Sequence, residues 1–145
     1  MSVTTIDSVY ADPCAAPGRE TVLDAIRMVE SRGARREELY PHRDGVSWGV
    51  YGITQTAVDE LIRLGWLAYG TTLQDVCASK LREHDVAGKY LDVCLERARR
   101  PEVYGSGATY LHAALVYHGG TGERLAPARV QYGRRLRRAI EEAAR

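Results

Sequence analysis

Glu30 is the residue whose position points most directly to chemistry. It follows Ile26 by four residues, so its carboxylate lies on the apolar stripe of Val22 and Ile26, near the C-terminal end of a predicted helix. An apolar surround and the negative end of the helix dipole both disfavour ionisation, which predicts a raised pKa for Glu30. A carboxylic acid that keeps its proton near neutral pH can protonate the oxygen of a departing sugar, as glycosidic cleavage requires. A glutamate at the edge of such a stripe also occurs as a partly exposed residue without a chemical role.

A glycine-rich segment follows this glutamate, and residues 47–56 read SWGVYGITQT. Gly49 and Gly52 suit tight turns and let the backbone approach a ligand closely. Trp48 and Tyr51 stand beside these glycines and are the first candidates for stacking on sugar rings. Other aromatic residues with the same potential are Tyr40, Trp66, Tyr69 and Tyr104, although helical spacing favours the core for Trp66, as it does for Tyr90.

A glycosidase commonly pairs its acid with a second carboxylate that acts as base or nucleophile. Glu37, Glu38 and Asp44 follow Glu30 and are the candidates here. No spacing singles out one of the three, so the sequence leaves this role open.

Helices must position these residues, because apolar residues recur at helical spacing in most of the chain. Irregular or β-prone residues interrupt the pattern around 40–54, where we expect at most a small hairpin. Thr56 with Asp59 and Thr72 with Asp75 resemble capping signals. The expected helices span residues 19–32, 56–64, 72–81, 86–98 and 108–117, with a last one starting at Pro127. The sequence thus predicts a mostly α fold of five to six or more helices with this small insert.

Length and composition exclude several classes of protein. A chain of 145 residues with 45% hydrophobic residues has room for one domain, here 19–145 behind an irregular arm at 1–18. No apolar run is long enough for a membrane span, and the first 20 residues show no secretory signal. The net charge is only +1, yet residues 124–145 carry seven arginines and two glutamates, so a local +5 is offset by −4 elsewhere. This basic end includes Arg134, Arg135, Arg137 and Arg138 on the outward face of the last helix.

Four blocks of sequence, in order, resemble lytic transglycosylases and goose-type lysozymes. In that family a helix ends in Glu-Ser, as at Glu30 and Ser31, and a later segment reads Gly-Ala-x-Gly-Leu-Met-Gln, which is similar to GVYGITQ at 49–55. The remaining blocks are AGKYL at 87–91, which resembles a small residue-x-x-Tyr-Leu helix, and ALVYHGG at 114–120, which resembles an Ala-x-x-Tyr-Asn-x-Gly turn. The chain departs from the pattern at Thr54, where the family has Met, and at His118, where it has Asn. Ser47 also lies one residue closer to the glycine motif than the corresponding serine of the family.

The resemblance implies a lysozyme-like catalytic domain that cleaves the MurNAc-GlcNAc bond of peptidoglycan. Glu30 would be the single catalytic acid and later base, without a cofactor or metal, and Tyr117 and Gln55 would hold its carboxyl group and the substrate. Ser31 would orient the loop, and the amides around Gly49 and Gly52 would approach the glycan. The remaining residues expected to bind substrate are Ser47, Trp48, Tyr51 and His118.

The alternatives left open are a hydrolytic muramidase and an inactive lysozyme-like module that binds glycan or serves assembly, which the His118 change makes plausible. A basic helical DNA-binding protein is a third, but we expect no nucleic-acid partner, because the arginine helix lacks a second basic element. We expect a monomer whose partners are glycan strands of peptidoglycan. Action at the cell wall or periplasm, or in a phage or secretion apparatus, would fit equally.

Three smaller features point to no chemistry. The cysteines Cys14, Cys77 and Cys94 form no CxxC pair, so we expect buried thiols or a reducing compartment. Histidine and cysteine spacings do not predict a metal site. The glycine runs after residues 104 and 118 lack the Gly-Lys-Ser/Thr ending of a phosphate loop.

Overall fold

The computed structural model describes residues 16–120, 122 and 127–144, so Cys14 and most of the expected arm at 1–18 lie outside the described residues. Within these residues the protein is mostly helical, with one small sheet, as the sequence predicts. The α-helices are α1 (Arg19–Ser31), α2 (Gln55–Arg63), α3 (Leu73–Val76), α4 (Lys80–Ala98), α5 (Tyr110–Gly119) and α6 (Pro127–Ala143). A single 3₁₀ turn covers Arg36–Glu38.

The described residues fall into two compact units. Ile26–Tyr90 form the first, called here the hairpin unit, and the described residues on either side of that range form the second, called the helical unit. The prediction of one domain over residues 19–145 stays a prediction.

The hairpin unit contains the two strands, β1 (Ser47–Trp48) and β2 (Ile53–Thr54), which pair antiparallel with Ser47 opposite Thr54. Only four residues separate the strands, and Gly49 and Gly52 begin and end that connection with φ of +80° and +62°. Such angles favour glycine, because a side chain crowds the backbone there. The connection Gly49–Gly52 is called the glycine turn below.

Local capping decides where the helices of this unit begin. Thr54 accepts a hydrogen bond from the Ala57 backbone N–H and starts α2, so the expected cap at Thr56 is wrong by two residues. Thr72 and Asp75 form the expected capping box at α3. That helix ends at Val76, and α4 begins at Lys80 rather than 86, so Leu81, which is 83% exposed, belongs to α4.

In the helical unit, α5 and α6 pack against each other. The buried guanidinium of Arg129 on α6 donates to the carbonyl oxygen of Gly120, just beyond the end of α5, at 2.5 Å. The outward face of α6 is basic as predicted, since four arginines of this helix are exposed: Arg134, Arg135, Arg137 and Arg138. Buried residues of this unit include Leu23, Leu91, Leu115 and Leu136.

Candidate active site

The Glu30 carboxyl group lies directly against the glycine turn. A β-carbon placed on Gly52 would stand 2.6 Å from Glu30 Oε1 and 3.0 Å from its Cδ, closer than such atoms approach. Glu30 is half-buried in the last turn of α1. The structure therefore brings together two parts of the sequence that were singled out separately, the glutamate on the helical stripe and the glycine motif that follows it.

A second carboxylate, missed by the sequence analysis, lies at the other end of the same turn. Glu83 in the first turn of α4 is 1% exposed, and a β-carbon on Gly49 would stand 2.6 Å from its Oε2. Glu83 precedes Val86 by three residues, Ala87 by four and Tyr90 by seven, so it lies on an apolar stripe as Glu30 does. The same apolar spacing that singles out Glu30 therefore singles out Glu83.

Glu83 is held by hydrogen bonds from the loop before β1 and from the glycine turn. Tyr40 Oη donates to its Oε1 at 2.5 Å, and the Val50 backbone N–H donates to its Oε2 at 3.1 Å. Burial raises the pKa of the Tyr40 phenol, and the hydrogen bond to Glu83 raises it further. Burial, with the nearby charge of Glu83, also raises the pKa of the Cys77 thiol to about 12.

Backbone hydrogen bonds fix the glycine turn from its other side. The Gly49 N–H donates to the Leu39 carbonyl oxygen at 2.6 Å, and His42 Nε2–H donates to the Gly49 carbonyl oxygen at 2.7 Å. The Gly52 N–H closes the turn on the Gly49 oxygen at 3.2 Å. The N–H groups of both glycines are thus used within the chain, and the predicted approach of the surrounding backbone amides to a glycan stays a prediction. The structural role of the two glycines is to let the backbone approach two carboxylates.

The other residues predicted near Glu30 have local partners. Ser31 Oγ donates to the Arg27 carbonyl oxygen at 2.5 Å within α1. Gln55 Nε2 donates to Asp59 at 2.9 Å, and its Oε1 accepts from the Leu73 N–H at 3.3 Å. The roles predicted for Ser31 in orienting the loop and for Gln55 in holding the carboxyl group stay predictions.

The two aromatic residues of the hairpin differ in what they offer a sugar. Trp48 is half-buried, with its ring edge-on to Tyr40 at a centroid distance of 6.5 Å. Tyr51 is only 4% exposed, and its hydroxyl group bonds to His84 Nδ1 at 2.8 Å. A buried ring has no free face, so the expected stacking of Tyr51 on a sugar does not fit the structure.

Other aromatic side chains of the hairpin unit are well exposed. Trp66 is 58% exposed, which corrects the expectation that it lies in the core. It follows the end of α2, beyond Gly65, and a helical stripe does not extend past that end. Tyr69 is 95% exposed and lines a cavity of about 470 Å³ together with Asp59, Ile62, Arg63, Gly70, Thr71 and Thr72.

The loop carboxylates considered as partners for Glu30 are exposed or held locally. Asp44 accepts hydrogen bonds from the backbone N–H groups of Ser47 and Val46, which lower its pKa, and from the Ser47 hydroxyl at 2.8 Å. The backbone N–H and guanidinium of Arg35 lower the pKa of Glu38 in the same way. Glu37 is also exposed and lies 3.5 Å from the same guanidinium.

Tyr117 and His118, the remaining predicted site residues, lie in the last turn of α5 in the helical unit. Tyr117 is half-buried, and its predicted contact with the catalytic carboxyl group stays a prediction. His118 is exposed at the surface, and its ring stacks on that of Tyr132 with the ring centroids 3.9 Å apart. Partial burial lowers the pKa of His118, and the charges of Arg129 and Arg135 lower it further.

Cys77 and Cys94 are buried thiols, as the sequence predicts. Among the described residues no group of three or more His, Cys, Asp or Glu side chains is placed to hold a metal ion. Within the same ranges, no helix has the length and apolar character needed to cross a membrane.

Comparison of the chain with protein-family models, with curated proteins and with solved structures found no match in any of the three.

Proposed function

We propose that this protein cleaves the glycan strands of peptidoglycan between MurNAc and GlcNAc, with Glu30 as its single catalytic acid and base and with a lysozyme-like fold. The observation that carries the proposal is the close approach of Gly52 to the Glu30 carboxyl group. The Glu-Ser motif and the glycine motif are both part of the resemblance to lytic transglycosylases and goose-type lysozymes. Nothing in the separation of the two motifs along the chain requires them to meet.

The surroundings of Glu30 suit a general acid. Glu30 is half-buried at the C-terminal end of α1, and these are the two conditions on which its predicted raised pKa depends. Partial exposure leaves the group accessible to a substrate. A glutamate buried as deeply as Glu83 has no such access.

In the proposed reaction the Glu30 proton passes to the glycosidic oxygen as the bond from that oxygen to C1 of MurNAc breaks. The 6-hydroxyl oxygen of the same sugar then bonds to C1, and its proton returns to Glu30. The products are a 1,6-anhydro end and a free 4-hydroxyl on GlcNAc, with the N-acetyl group assisting, as the resemblance implies. Asp44 and Glu38 are hydrogen-bonded to Ser47 and Arg35 close to them in sequence. This supports attack by the 6-hydroxyl group of the substrate over a reaction that needs a second carboxylate from the enzyme.

Aromatic surfaces near the hairpin would bind the glycan. Trp48 remains a candidate for stacking, and exposed Trp66 and Tyr69 are added to it in place of buried Tyr51. These side chains belong to the same unit as Glu30.

Mass spectrometry of the material released from purified sacculi tests this proposal. The proposal predicts muropeptides that end in 1,6-anhydro-MurNAc. Reducing ends would instead identify a hydrolytic muramidase that uses the same acid. Release of no muropeptide, together with binding to the sacculi, would identify the inactive glycan-binding module and overturn the enzymatic proposal.

A further inference from the structure

Glu83 is a buried carboxylate to which the proposed reaction gives no role. Burying a carboxylate in an apolar interior is costly unless hydrogen bonds compensate for lost hydration. The compensating donors of Glu83 are the Tyr40 hydroxyl and the Val50 N–H. Neither belongs to α4, so Glu83 ties its helix to the loop before β1 and to the glycine turn.

The fit between Glu83 and the turn depends on the absence of a side chain at residue 49. Gly49 has φ +80°, and a β-carbon there would stand 2.6 Å from Glu83 Oε2 and 3.3 Å from Cys77 Sγ. The backbone therefore closes directly over the carboxylate. With the Gly49 amide bonded to Leu39 and its oxygen to His42, this end of the turn is fixed on both sides.

The opposite end of the same turn meets Glu30. The Gly52 N–H bonds to the Gly49 oxygen, so a displacement of Gly49 is passed on to Gly52 within one hydrogen-bonded ring. Because the Gly52 backbone limits where the Glu30 carboxyl group can lie, the two carboxylates are coupled through four residues.

We propose that Glu83 is a positioning residue, which holds the glycine turn against the Glu30 carboxyl group without touching the substrate. Its effect on turnover rests on the proposed function of Glu30, whereas its hold on the turn does not. Glu83 differs from Glu37, Glu38 and Asp44, the residues considered for a second catalytic carboxylate, because it is buried and acts on the backbone.

Two variants test this role. Glu83→Gln keeps the shape of the side chain, but it replaces one of the two accepting oxygens by an NH2 group, which cannot accept the hydrogen bond that this oxygen receives from Tyr40 or Val50. Tyr40→Phe removes one donor and leaves the carboxylate in place, so it serves if Glu83→Gln fails to fold. Tyr110→Phe is the matched control, because Tyr110 Oη donates to Asp92 Oδ1 at 2.9 Å in the helical unit, so this variant removes the same kind of hydrogen bond without touching Glu83.

Amide hydrogen exchange, the NMR titration of the Glu30 carboxyl group, and kcat and KM on soluble glycan chains are the three measurements. In both test variants we expect exchange at Val50 and Gly52 to accelerate by ~10-fold or more, since a lost hydrogen bond eases local opening. The Glu30 titration midpoint should move, and kcat should fall by ~10-fold with KM within ~2-fold, because orientation of the acid is what changes. Tyr110→Phe should alter none of these.

Wild-type exchange at Val50 and Gly52 together with an unchanged Glu30 titration, in a folded test variant, would overturn the positioning role. Equal losses of kcat in Tyr110→Phe at a similar melting temperature would overturn it as well, because the effect would then be general destabilisation. If the wild-type protein releases no muropeptide, the proposed function fails, while exchange and titration still decide the role of Glu83.

Discussion

Replacing Gly52 by alanine puts a methyl group into the contact that defines the candidate site. The new β-carbon would stand 2.6 Å from Glu30 Oε1, so the carboxyl group must retreat by about 1 Å to reach ordinary contact distance. A misplacement of that size can lower a rate by ~100-fold. The backbone cost is separate: at φ +62° a side chain costs roughly 1–2 kcal/mol.

Gly45→Ala separates these two effects. Gly45 has φ +70° and nothing within 4 Å of a β-carbon, so alanine there incurs the same backbone strain without touching a carboxylate. Both variants should lose roughly 3–6 °C in melting temperature, given ~3 °C per kcal/mol for a chain of this size. Only Gly52→Ala should lose its activity on sacculi, measured as muropeptide release at fixed protein concentration. Equal activity of the two variants would show that the close approach of Gly52 to Glu30 has no catalytic meaning.

Three further predictions concern other parts of the protein. Tyr117→Phe should lower the cleavage rate by ~10-fold or more at nearly unchanged stability, if its hydroxyl holds the catalytic carboxyl group as the resemblance implies. An unchanged rate with normal melting would assign Tyr117 to packing. Reversing the exposed arginines Arg134, Arg135, Arg137 and Arg138 to Glu should slow attack on intact anionic sacculi but not on short soluble chains, and salt should slow the wild type alone, given a screening length of ~10 Å at 0.1 M; equal salt sensitivity of both proteins would contradict this. Cys77, whose thiol is buried and has a pKa of about 12, should resist alkylation at pH 8 in the folded protein and react readily in denaturant, as followed by peptide mass spectrometry; rapid native labelling would contradict the burial.

Sequence periodicity predicted the elements that depend on local pattern. Helix α1 and the start of α6 at Pro127 follow from apolar spacing, from Gly33 and from the proline itself. The hairpin follows from its glycines, and the α3 cap from the Thr72–Asp75 pair. Each of these signals acts within a few residues of chain, which is why the sequence alone reveals it.

Features that depend on contacts between distant residues were harder to predict. Thr54 and Thr56 are equally suited to cap a helix, and only the pairing of β2 decides between them. Tyr51 stands beside a glycine and was expected to expose its ring to a sugar. Its ring is buried instead, and its hydroxyl group bonds to His84, 33 residues away. The donors to Glu83 likewise come from 33 and 43 residues away. The apolar spacing around Glu83 therefore predicts that it is buried, but it does not predict which groups donate hydrogen bonds to it.

The central claim, that Glu30 is the catalytic acid, is tested most directly by comparing muropeptide release from sacculi by the wild type and by Glu30→Gln. The matched control is Glu20→Gln, which changes an exposed glutamate at the other end of α1. We predict anhydro-muropeptides from the wild type and from Glu20→Gln, and none from folded Glu30→Gln, because the amide keeps the shape of the acid but has no proton to give. Full release by Glu30→Gln would contradict the account.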